Sequence, residues 1–143
     1  MWLKREDQFM AQEDKLKKQI DKISLLLSKL TNKLLQQNNE QKDVLNVVSS
    51  SLESELNIDL FKVLEMNDKE EVEYLIRDKE FSIDHLREFG DLIFELAYRI
   101  TDSDLKNKLN RKALIIYEYI TANGKGIIFL DVQYKIKELK AAK

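Results

Sequence analysis

Acid-base chemistry in this 143-residue chain would have to begin at His85, its single histidine. With Asp84 and Glu88 close by in sequence, His85 could act as a general base or supply one metal ligand. A working site needs convergent partners, and the chain has no cysteine, no second histidine and no nucleophile-bearing motif around Ser82. A solvated or helix-capping histidine is therefore the favoured reading. An enzyme built on His85 and the carboxylates of the middle of the chain is the alternative. Glu65, Asp68, Glu70, Glu71 and Glu73 could in principle hold a metal ion, but carboxylate metal sites in helical bundles also use Glu-x-x-His, which is absent. They read as a solvated acidic face. Asp102-x-Asp104-x-x-Asn107 lacks the glycine and the distal glutamate of a calcium loop, and reads as helix capping. Gly124-Lys125-Gly126 lacks the strand, the longer glycine-rich loop and the terminal Lys-Ser/Thr of a phosphate-binding loop. Asn123-Gly124 reads instead as a left-handed helix terminator. No catalytic residue, bound metal or cofactor is expected.

Recognition chemistry is better represented. Tyr117, Tyr119 and Tyr134, with Lys125, Lys135 and Lys137 nearby, could form an aromatic and basic strip of the kind that stacks single-stranded bases. Tyr117 falls on an apolar helix face and reads as core, leaving Tyr119 and Tyr134 for the surface. Trp2 and Phe9 are large apolar groups in a charged segment, suited to docking on the body or anchoring a partner.

Helices must position all of these groups. Leu16, Ile20, Ile23, Leu27, Leu30 and Leu34 form a heptad seam, which has to be buried against another helix of this chain or of a second copy. The first helix is predicted over Arg5 to Gln37, roughly 50 Å long. Leu26 and Leu35 widen its stripe. After the polar stretch Gln36 to Asn39, the residues Val44, Leu45, Val48, Leu52 and Leu56 resume helical spacing as the second arm of a hairpin. Asn57 or Asp59 caps a short helix bearing Leu60, Phe61, Val63 and Leu64, and Asn67 or Asp68 caps the next, with Val72, Leu75 and Ile76 inward. Ser82 caps a helix whose inward residues are Leu86, Phe89, Ile93, Leu96, Ala97 and Ile100. Gly90 inside it predicts close approach of a neighbouring helix, since glycine there costs ~1 kcal/mol against alanine. Asp102 or Ser103 starts a helix burying Leu105, Leu109, Ala113, Ile116, Tyr117 and Ile120. A final helix from about Leu130 buries Val132, Ile136 and Leu139. The body from Leu86 to Leu139 is expected to be the stable part and the segment before Lys15 the mobile one.

The run Ala113-Leu114-x-Ile116-Tyr117-Glu118-Tyr119, on the second of two antiparallel helices and followed by a third, resembles the packing grammar of tetratricopeptide units, without their 34-residue repeat. Gln12-Glu13-Asp14 with Leu16 and Ile20, Leu52-x-x-Glu55-Leu56, and Leu114 to Tyr119 with Phe129 to Leu139 are similar to a family of small uncharacterised bacterial helical proteins. The likeness spans nearly the whole chain. It departs around Phe129, where bulky residues replace the serine usual before the last helix. The resemblance implies an all-helical fold and carries no functional residue.

Proline is absent and glycine occurs at only three positions, so little interrupts helical geometry. No apolar run approaches the roughly 18 residues a membrane span requires. The net charge of −2 is uneven: residues 52–91 sum to −8 and 92–143 to +4. Such a field can orient a partner, but it is not the concentrated basic surface that duplex nucleic acid demands. The sequence thus predicts an all-α protein, with a long N-terminal helix in a hairpin over residues 1–56 and a compact tetratricopeptide-like multi-helix body over 57–143. It predicts a cytoplasmic, non-enzymatic protein-interaction or scaffold protein that binds protein and forms a coiled-coil-type dimer through Trp2, Phe9, Leu16, Ile20, Ile23 and Leu27. The alternatives to this reading are a nucleic-acid accessory protein using the basic C-terminal helices, or an enzyme using His85 and the middle carboxylates.

Overall fold

The computed structural model describes residues 22–36, 44–124 and 130–141; among them there are helices and short connections and no strand. Helix α1 spans 22–36 and is followed by α2 (Val44–Leu56), α3 (Leu60–Glu65), α4 (Asp68–Glu73) and a π-helical turn (Tyr74–Asp78). Then come α5 (Ile83–Tyr98), α6 (Ser103–Asn123) and α7 (Leu130–Ala141). The all-α class is as the sequence predicted. No helix of the described residues is long and apolar enough to cross a membrane.

Local capping chemistry sets most of the boundaries. Asp59 accepts from the Lys62 amide, Asn67 and Glu70 form a reciprocal capping box, and Asp102 accepts from the amides of Asp104 and Leu105. Asn57 does a different job from the expected cap. It adopts φ 54° and ends α2, with the Ile58 amide bonded back to the Leu52 carbonyl. Glu80 (φ 57°) repeats this at the end of the π turn, where the Phe81 amide bonds to the Leu75 carbonyl. In both cases the next residue, Ile58 or Phe81, is buried, so a hydrophobic contact holds each left-handed residue in place. Gly124 is a correction to the sequence reading: its φ of −79° is not left-handed.

α6 is the hub, with α5, α7, α4 and α3 packed on it. α5 and α6 run antiparallel through a tight turn at Arg99–Asp102, and Gly90 lets α6 pack directly on the backbone of α5. A Cβ at Gly90 would lie 2.9 Å from Tyr117 Cε1 and 3.2 Å from Ile116 Cγ2. The inward residues predicted for the Ser82-capped helix are all buried, Ile100 lying just past the end of α5, as are Leu109, Ala113, Ile116, Tyr117 and Ile120 of α6; Leu105 is half-buried. Of the inward residues predicted for α4 and the π turn, only Leu75 is fully buried, while Val72 and Ile76 are half-buried. Within the described part of the first helix, Leu27, Leu30 and Leu34 join one core with Val44, Val48 and Leu52 of α2. The seam here closes inside one chain. Leu26 is half-buried and Leu35 exposed, so the stripe widens on one side only. α1 also meets α5, where Ser24 Oγ donates to Glu88 Oε1 at 3.1 Å.

Candidate functional site

Along one side of α6, the end of α3 and the whole of α4 lie in step with it. Lys108 pairs with Glu65 at 2.9 Å, and three residues further along both elements Arg111 meets Asp68 at 3.5 Å. Both pairs are well exposed and contribute little individually. Beneath them sits a buried pair. Glu71 has no accessible surface and Lys112 retains 4%. The Lys112 ammonium donates to the Met66 carbonyl at the end of α3 and stands 3.8 Å from Glu71 Oε1, too far for a hydrogen bond. Neither Glu71 oxygen has a hydrogen-bond partner.

Burial pushes the Glu71 carboxyl up to about 8, the attraction of Lys112 pulling it back only in part and the Asp68 charge adding to the rise. The expected solvated acidic face is therefore corrected at Glu71, which is core. Glu73 is solvent-exposed, Glu70 caps α4, and Glu65 and Asp68 are the partners of Lys108 and Arg111. A groove of about 560 Å³ opens above, lined by Leu64, Met66, Asn67, Lys69, Lys108 and Lys112 among others. Lys112 reaches this groove and Glu71 does not line it. The arrangement can hold a proton on a sealed carboxyl and anchor α4 to α6; a bound molecule in the groove would meet Lys69, Lys108, Arg111 and Lys112 together with the Asp68 carboxylate.

His85 lies elsewhere, at the start of α5, with 1% exposure. Its Nδ1 accepts from the Ser82 amide and its own amide donates to Ser82 Oγ, both at 3.2 Å, while its ring meets Phe81 edge-on at 5.7 Å. Of the two sequence alternatives it is the capping histidine and not the solvated one. Nδ1 is occupied in this role. Asp84 is exposed, and Glu88 points one oxygen at Ser24 and buries the other without a partner. The described residues contain no group of three or more histidines and carboxylates able to hold a metal.

The aromatic strip is divided by the fold. Tyr117 is fully buried, and its hydroxyl donates to Asp91 Oδ1 at 2.6 Å. Lys135 bonds the same oxygen at 2.7 Å, with its ammonium 5.3 Å from the Phe94 ring centre and 5.9 Å from that of Tyr117. Burial and the Asp91 charge push the Tyr117 hydroxyl strongly up, so it stays a donor. Tyr119 is half-buried, Tyr134 is exposed, and Lys125 lies outside the described residues.

Of the residues expected to mediate association, Trp2, Phe9, Leu16 and Ile20 also lie outside the described residues. Ile23 is half-buried against the core and Leu27 is completely buried within the single chain. Sequence reasoning missed Glu71 and Lys112, although a signal existed. Lys112 stands three residues after Leu109 and four before Ile116 on the α6 stripe, and Glu71 stands four before Leu75. No family model, curated protein or solved structure matches this chain.

Proposed function

We propose that this chain works by binding protein, as a non-enzymatic helical module that pairs with a second copy through the N-terminal part of its first helix. The observation that carries this reading is where the seam closes. Leu27, Leu30 and Leu34 are buried within one chain, in a core they share with an α2 of only 13 residues, while the same heptad spacing continues through Ile20 and Leu16, beyond the stretch that a hairpin partner of that length would serve. Ile23, half-buried, stands at the transition. Trp2 and Phe9 would extend the same contact.

The succession of antiparallel helices α5, α6 and α7 supports a tetratricopeptide-like packing of the body, a frame suited to presenting helix faces to partners. A cysteine-free composition suits the cytoplasm. The rival readings draw less support, because His85 is enclosed in a helix cap and Lys135 is engaged with Asp91. Light scattering at tens of micromolar tests the proposal. The intact chain should be a dimer, and Leu16→Asp with Ile20→Asp should yield a monomer of unchanged helical content. A monomeric intact chain would sink it.

A further inference from the structure

α7 adheres to the body differently from α5 and α6, the helices it packs beside. α5 buries eight of its residues, whereas α7, with 12 residues, buries only Val132 and Leu139 and half-buries Ile136. Two of its large apolar side chains, Leu130 and Tyr134, face solvent at 79% and 69% exposure. Polar links supply the rest of its attachment. Gln133 Nε2 donates to Thr121 Oγ1 at 3.0 Å, Lys140 faces Glu118 at 3.6 Å across an exposed rim, and Lys135 bonds Asp91 at 2.7 Å.

The Lys135 contact is unlike the other two. Its ammonium comes down over the rings of Phe94 and Tyr117 onto a carboxylate that already accepts from the Tyr117 hydroxyl, so one charge ties α7 to α5 and α6 together. Phe94 and Tyr117 also pack on each other, 6.5 Å between centres. A helix of this length is marginal in water by itself, so whatever releases its contacts also melts it. From this geometry we propose that α7 is a strap that docks and releases as one unit, latched by Lys135 on Asp91, over a body in which α5 and α6 remain packed. Release uncovers the faces of Phe94 and Tyr117 on which the ammonium rests. The inference stands apart from the proposed self-association, which involves the other end of the chain.

The absence of cysteine makes a direct test available. Val132→Cys places a thiol on the buried face of α7 and Leu96→Cys places one at the centre of α5, both positions having no accessible surface. Under native conditions the thiol at position 132 should be labelled at least about tenfold faster than that at 96, because local opening precedes global unfolding. Adding Lys135→Met, which keeps the stem and removes the ammonium, should accelerate labelling at 132 by about another tenfold and leave 96 unchanged. Amide exchange of the cysteine-free chain guards against misfolded variants: amides of Gln133–Leu139 should lose protection well before those of Ile93–Ala97. Equal labelling at the two sites with equal amide protection, or an equal acceleration of both by Lys135→Met, overturns the strap.

Discussion

Replacing Glu71 with glutamine should abolish one specific component of the pH dependence of stability. The carboxyl has an ordinary value of 4.5 and is raised to about 8 in the fold, so between those limits the native state holds a proton that the unfolded chain releases. A folded-state value above the unfolded one contributes stability that is complete below pH 4.5 and disappears as pH rises through about 8. Each pH unit in that window is worth about 1.4 kcal/mol, and the full span roughly 3–5 kcal/mol. Glu71→Gln keeps the shape and removes the ionisation. Groups away from position 71 titrate alike in the two proteins, so the difference between their curves isolates this carboxyl together with its interactions with Lys112 and Asp68. Urea unfolding followed by circular dichroism from pH 5 to pH 9 should show the two proteins diverging steadily, with the glutamine variant several kcal/mol more stable at the alkaline end. Parallel curves would refute the reasoning, and would mean that the burial penalty at Glu71 is relieved by its surroundings.

At Gly90 the neighbouring Tyr117 ring cannot swing aside without breaking its bond to Asp91, so Gly90→Leu should lower stability by on the order of 2–3 kcal/mol despite the ~1 kcal/mol gained in helix propensity; a rise in thermal midpoint would place Gly90 on a free face. Glu80 holds a left-handed conformation that a side chain disfavours, and Glu80→Gly should therefore stabilise by ~1 kcal/mol in chemical denaturation, whereas a loss would show that its side chain is needed.

Much of this architecture is written locally. The spacing of Leu86, Phe89, Ile93 and Leu96 dictates which side of α5 turns inward, because a 3.6-residue period leaves few ways to hide those side chains. Asp59, Asn67, Ser82 and Asp102 start their helices because each carries an oxygen within reach of amides two or three residues on, a relation that needs no other part of the chain. Gly90 announced a close contact by its cost to the helix, and only the identity of the neighbour had to come from the fold.

The candidate site was far less legible. Glu71 and Lys112 lie 41 positions apart in sequence, Glu71 reading as part of a solvated acidic face and Lys112 drawing no notice; the pair is core only because α4 packs on α6. His85 was recognisable as a cap, but its enclosure depends on Phe81, which is turned inward by the left-handed backbone at Glu80, a residue whose type favours no such conformation. Helices and their inward faces follow from period and capping within a few residues. Which charges are stripped of water depends on what packs over them, and that is decided only when distant helices meet.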